Sequence, residues 1–235
     1  VVEFSTSVKV LMMNSNVPNT FAYPIMLNLT GKPCVVVGGG RVGARKVKGL
    51  LNTGASVTVI SPKLVQSLES LAEQKQIVWQ STEYSSNLLD DIQPLLVFAA
   101  TDSAEVNQQV AADARQLGAL VNIVDGTGDS DFSNMSTVHR KPIAIGISTN
   151  GASPALSAYL KQRIEELIGD EYVILAQWLS DLRPELQSFV HNQTDRSHLY
   201  EAIIASDILT LLRMNETDAA YQRFQDILLA GQVAS

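Results

Sequence analysis

The stretch Pro33–Leu51, PCVVVGGGRVGARKVKGLL, constrains this chain more than any other. Val35–Val37 is an apolar β-branched run, the composition of a strand buried on both faces. It enters Gly38, Gly39 and Gly40, and a basic, helix-forming segment begins at Arg41. Gly38, Gly40 and Gly43 stand in G-x-G-x-x-G spacing. The first glycine permits the turn, the second lets backbone approach a pyrophosphate, and the third lets helix pack against strand. Free N–H groups at the helix start then favour the anion. The competing reading is a tight turn with no ligand, and a lone match does not separate the two.

The rest of the chain supplies context. Ser56–Ser61 reads as a second strand, and Ser61-Pro62 as N-cap and first residue of a helix reaching Gln74. Ile77–Ser81 is a third strand, Thr82–Pro94 a polar connection and Leu95–Thr101 a fourth strand. A helix over Ser103–Gly118 leads to a fifth strand at Leu120–Val124. Strands alternating with helices at this spacing predict a Rossmann-type α/β domain with a parallel sheet. Beyond Asp125 the pattern changes. Met135–Arg140 and Pro142–Ser148 are extended segments, read as a hairpin, and Ser153-Pro154 opens another helix. From Glu171 the periodicity is helical, with breaks expected near Arg183-Pro184, His191–Asp195 and Asn215. The expected divisions are a loose extension over 1–22, a nucleotide-binding domain over 23–125, a short middle region over 126–152 and a helical domain over 153–235.

Ligands of an open parallel sheet sit beyond the carboxyl ends of its strands. Gly38, Gly40, Arg41, Val42, Gly43, Ser61, Pro62, Lys63 and Thr101 fall there and are the candidate cofactor contacts. The acid that ordinarily meets the ribose hydroxyls is missing, and Ser61 stands in its place with Lys63 close by. The choice between NAD and NADP is therefore open on physical grounds. Asp125 follows the fifth strand directly. An aspartate there can be a turn former, or it can remove a proton while a hydride leaves for a nicotinamide. Asp129 and Asp131 either raise its pKa by repulsion or are solvated loop charges.

The net charge of −7 argues against a general nucleic-acid binder. The single cysteine, Cys34, allows no disulfide framework, and His139, His191 and His198 show no zinc-ligand spacing. No apolar run approaches the ~20 residues of a membrane span. A cytoplasmic protein without membrane or nucleic-acid partners is expected.

The segments YPIMLNLTGKPCVVVGGGRVGARKVKGLLNTGASVTVISP, VFAATDSAEVNQQV, VNIVD and KPIAIGISTNGASPALSAYLKQRIEEL together resemble the precorrin-2 dehydrogenase/sirohydrochlorin ferrochelatase family. That family includes the N-terminal part of bifunctional siroheme synthases. The resemblance spans roughly Tyr23–Gly169. It implies NAD-dependent oxidation of precorrin-2 to sirohydrochlorin and, in some members, insertion of ferrous iron. It also implies a homodimer formed through the middle region. It places the key acid at Asp125, cofactor contacts at Arg41-Val42 and Pro62-Lys63, and a serine phosphorylated in some relatives at Ser148. Met26 and Met135 depart from the family pattern. A substrate with eight carboxylates asks for local positive charge. The candidates are Arg140-Lys141, Lys161, Arg163 and Arg45-Lys46-Lys48, with Ser148, Asn150, Gly151 and Ser153 forming a turn at a helix N-terminus that either takes a carboxylate or is a plain cap. Two other readings are a chelatase with a vestigial nucleotide loop and a non-enzymatic NAD-sensing module.

Overall fold

The computed structural model describes residues 22–124 and 129–233. Contacts divide the chain into two compact units, one over Ala22–Asn134 and one over the described residues from Met135 onward. In the first, β1 (Pro33–Val37), β2 (Ser56–Ile60), β3 (Val78–Gln80), β4 (Leu96–Ala99) and β5 (Leu120–Ile123) form a parallel sheet ordered β3-β2-β1-β4-β5. The central strand is apolar throughout because both its faces are covered. Cys34 and Val36 pack with Val47 and Leu50 of α1 (Arg41–Leu51) and Leu68 of α2 (Gln66–Glu73). Val35 and Val37 pack with Val110, Ala111 and Ala114 of α3 (Ala104–Gln116). Each valine so buried stabilises the fold by about 1.5–3 kcal/mol. The Cys34 thiol is part of this packing, and burial raises its pKa.

The connection over Thr82–Pro94 is less polar in effect than in composition. A 3₁₀ turn at Ser86–Leu89 inserts Leu89 fully into the second core face. Tyr84 Oη donates to Asp113 Oδ2 at 2.9 Å and ties the same segment to α3. Burial first, then that hydrogen bond, raises the tyrosine pKa.

The second unit opens with an antiparallel hairpin, β6 (Ser136–Arg140) and β7 (Ile143–Ile147). Helix α4 (Pro154–Leu167) follows, with Ser153 Oγ accepting from the Leu156 N–H at 3.1 Å as the cap. Then come α5 (Asp170–Phe189), α6 (Gln193–Ala205), α7 (Ile208–Arg213) and α8 (Thr217–Val233). Leu175, Leu182, Leu186, Ile203, Ile208 and Phe224 form their shared core. Trp178 meets the edge of Tyr221 at 5.1 Å.

Three element boundaries differ from expectation. The second helix begins at Gln66, with Val65 as N-cap, rather than at Pro62. The break at Arg183-Pro184 does not occur: α5 runs through Pro184. Leu182 and Leu186, buried on either side of it, offset the lost backbone bond. The break at Asn215 is present, with φ of +61°, while the turn at Ser206-Asp207 had no signal beyond an ordinary polar pair.

Candidate active site

The strand order reverses beside β1, between β1 and β4, and the glycine loop leaves β1 at that switch point. Its three glycines do different work. Gly38 has φ of +120°, and a Cβ there would stand 2.3 Å from the Ala100 carbonyl oxygen. Gly43 faces the loop from the helix, where a Cβ would meet Gly38 O at 2.1 Å. A Cβ on Gly40 would meet nothing within 4 Å. Gly40 is the N-cap of α1 and offers no side-chain cap, so the N–H groups of Arg41 and Val42 open onto that free space. This is the pattern a pyrophosphate requires: strain and contact at the first and third glycines, room at the second.

Gly39, between them, was assigned no role, yet it seats the neighbouring loop. A Cβ on it would stand 2.0 Å from Lys63 O and 2.9 Å from Ser61 Oγ. Val65 N–H donates to Gly39 O at 2.9 Å. This packing explains the late start of α2, because residues 61–65 are drawn onto the glycine loop instead of coiling. Ser61 is buried and its hydroxyl donates to Lys63 O at 2.8 Å, so it shapes the loop and does not cap a helix. Trp79 Nε1 donates to Ser61 O at 2.9 Å, closing the same corner from β3. Pro62 and Lys63 are exposed, and the Lys63 ammonium has no partner among the described residues.

After β4, Thr101 is held by a residue that the sequence did not single out. Asn107 Oδ1 accepts from the Thr101 N–H at 3.0 Å and from Thr101 Oγ1 at 2.8 Å, while Asn107 Nδ2 donates to Thr101 O at 3.0 Å. Asn107 is buried at the second turn of α3, where nothing local marks it. The Thr101 hydroxyl and both its backbone groups are thus engaged by Asn107.

Asp125 lies outside the described residues, but both flanks are anchored. Val124 N–H donates to Ala99 O at 2.9 Å. Ser130 Oγ accepts from the Ile123 N–H at 2.9 Å, and Asp131 both donates its N–H to Val121 O and accepts the Val121 N–H on Oδ2. Residues 129–134 therefore run beside β5. Asp129 and Asp131 stay exposed to solvent and pair with Arg115, at 3.5 and 3.1 Å.

Lys46, one of the cations offered for a substrate, is used within the domain. Its Nζ donates to Asn122 Oδ1 at 3.0 Å and Asn134 Oδ1 at 3.2 Å and lies 5.0 Å from the Phe98 ring centre. Burial, then the charge of Arg45, lowers its pKa. The one available signal was Asn122, an amide inside the otherwise apolar LVNIV.

In the second unit, the proposed substrate contacts do not form one cluster. The hairpin pairs Arg140 with Ile143 at one end and Ser136 with Ile147 at the other. Arg140 is thus about 14 Å along the strands from the turn carrying Ser148. Arg140 Nη1 bonds Asp170 at 3.1 Å. Ser148 Oγ accepts from the Asn150 N–H at 3.0 Å, and Asn150 and Gly151 take φ of +51° and +83°. Lys161 and Arg163 pair with Glu165 and Glu166 along α4.

A parallel sheet in this order, with a glycine cradle at its switch point, defines a Rossmann-type dinucleotide-binding domain. Residues 25–136 match the model of a family described as NAD(P)-binding, and residues 140–167 match that of the sirohaem biosynthesis protein central domain. A siroheme synthase from Pseudoalteromonas atlantica is 34% identical over 206 residues, covering 88% of this chain and 44% of the relative. One from Chromobacterium violaceum is 33% identical over 209 residues, covering 89% and 44%. The chain thus spans less than half the length of these relatives. A solved structure titled SirC, precorrin-2 dehydrogenase, superposes with a TM-score of 0.71 at 24% identity, covering 87% of this chain and all of that one, a likeness of fold. The two family models in succession and the siroheme synthase relatives support the precorrin-2 dehydrogenase/sirohydrochlorin ferrochelatase family for this chain.

Proposed function

We propose that this protein oxidises precorrin-2 to sirohydrochlorin with NAD, in the synthesis of siroheme. The observation that carries the reading is the cradle at Gly38–Gly43, in a chain matched by a nucleotide-binding family and by the central sirohaem family in succession. The backbone N–H groups of Arg41 and Val42 would hold the pyrophosphate, with Gly40 giving it room and the 61–65 loop bordering the ribose. Bound NAD supplies the hydride acceptor. The substrate loses one hydride and one proton, and Asp125 is the residue we assign to take the proton from carbon. Its place beyond β5 puts it in sequence at the sheet edge where a nicotinamide lies in this class of fold. Ser148, Asn150, Gly151 and Ser153 are assigned to the substrate's carboxylates, and ferrous iron is a second substrate in the same proposal.

We further assign homodimer formation to the hairpin and α4, within the middle region expected over 126–152 and the helix after it. Among the described residues α4 has no buried residue, and Leu156, Tyr159 and Leu167 on it are exposed. A two-stranded sheet with a helix this apolar is completed by a second copy. A cytoplasmic location completes the reading. Among the described residues no helix is long and apolar enough to cross a membrane.

The test is spectroscopic. Precorrin-2 and NAD are incubated with the protein, and sirohydrochlorin is followed by absorbance, with iron or cobalt insertion measured separately. Absence of oxidation with either nicotinamide refutes the proposal. Asp125→Ala is expected to abolish turnover while leaving NAD affinity unchanged, and full activity in that variant removes Asp125 from its role.

A further inference from the structure

The faces of α5 and α6 that look towards each other enclose a groove of about 520 Å³, within the size range of small-ligand sites. Arg183 and Gln187 line it from α5, and Gln193, Arg196, Ser197 and Tyr200 from α6. Among the described residues no carboxylate lines it, although the chain carries a net charge of −7. The acids of these helices stand elsewhere, Asp181 accepting from Gln177 at 2.8 Å.

The two arginines are differently prepared. Arg196 is half-buried, and its Nη1 donates to Val190 O at 2.5 Å and His191 O at 3.0 Å. The carbonyls at the end of α5 thereby fix the guanidinium, leaving Nε and Nη2 for another acceptor. Arg183 is exposed and has no partner among the described residues. The amides of Gln187 and Gln193 and the hydroxyls of Ser197 and Tyr200 likewise have no protein partner there. A planar fork held in place, with a second fork and several neutral donors around it, matches planar carboxylates. No glycine loop in the groove offers the run of backbone N–H groups typical of a phosphate cradle.

We propose that this groove is a binding site for a small molecule carrying two or more carboxylates, separate from the nucleotide cradle and independent of the oxidation assigned above. The probe is citrate, titrated by calorimetry at low salt into the full chain saturated with NAD, so that the glycine loop is not the receptor. One citrate per chain is expected. Arg183→Gln, at an exposed position, should weaken it about tenfold, the loss of one charge-assisted hydrogen bond. Ser197→Glu, which places a carboxylate in the groove, should weaken it at least as much. Circular dichroism checks that both variants are folded, and if Arg183→Gln is not, Ser197→Glu decides. Pyrophosphate should bind more weakly than citrate. No citrate binding up to about 10 mM overturns the site. Citrate binding that neither substitution changes also overturns it. Pyrophosphate binding as tight as citrate overturns the carboxylate assignment.

Discussion

Replacing Gly38 by alanine separates the mechanical role of the glycine loop from its binding role. At φ of +120° an alanine is outside every comfortable region, a strain of about 1–3 kcal/mol. Its Cβ would also stand 2.3 Å from Ala100 O, 2.7 Å from Ala100 C and 3.1 Å from Thr101 N, all backbone. No side chain can rotate away, so the ends of β1 and β4 must part by about 0.7 Å to reach the shortest tolerable contact. The bond that resists is Ala100 N–H to Val37 O, 2.8 Å long and buried, and weakening it costs about 1–2 kcal/mol more. The total, about 2–5 kcal/mol, is a large share of the ~5–15 kcal/mol of a typical domain. Gly40→Ala makes the opposite case. Its φ of −81° is ordinary and its Cβ meets nothing, so stability should change by less than about 1 kcal/mol. The methyl group nevertheless occupies the space assigned to the pyrophosphate. Urea unfolding followed by circular dichroism measures the first effect and calorimetric titration with NAD the second. Gly38→Ala as stable as the parent protein, or Gly40→Ala binding NAD with unchanged affinity, would refute this division of roles.

Two further substitutions test residues that hold the fold around the site. Asn107→Ala leaves the Thr101 N–H without its acceptor and should cost about 2 kcal/mol in urea unfolding, with weaker NAD binding; unchanged stability would show that water replaces the amide. Glu171 reports on the helical unit. Burial pushes its pKa up, but hydrogen bonds from Arg213 at 2.7 Å and from its own N–H, with the charges of Arg213 and Arg140, bring it below the ordinary value. A depressed folded pKa means stability present above the unfolded value of about 4.3 and lost as pH falls through the folded value. Glu171→Gln should therefore be less stable at pH 7, by about 1 kcal/mol, and the difference should vanish in acid. A difference that persists at pH 2 would point to packing instead of charge.

Much of the nucleotide domain, and of the hairpin and first helix of the second unit, was legible because the signals are local. The run Val35–Val37, the glycine spacing, the Ser153-Pro154 cap and the strand pair around Lys141-Pro142 depend on residues close in sequence, whose backbone preferences act before any tertiary contact forms. The helix expected from Pro62 shows where such signals fail. Ser61-Pro62 is a good local cap, but Gly39 accepts from Val65 and draws the segment off its helical path. Pro184 shows the converse, a local breaker overridden by the burial of Leu182 and Leu186.

Sequence alone determined that residue 40 carries no Cβ and stands in the G-x-G-x-x-G spacing after an apolar strand, because residue identity and spacing are local properties; that nothing stands within 4 Å of it was decided by the fold. Only the tertiary structure decided how the charges and amides around that space are spent. Lys46 is bound to Asn122 and Asn134, Arg115 to Asp129 and Asp131, and Thr101 to Asn107. Partners six to 88 residues apart meet only after the sheet has assembled. A side chain's charge is written in the sequence, but whether that charge is free for a ligand depends on which neighbours the fold brings to it.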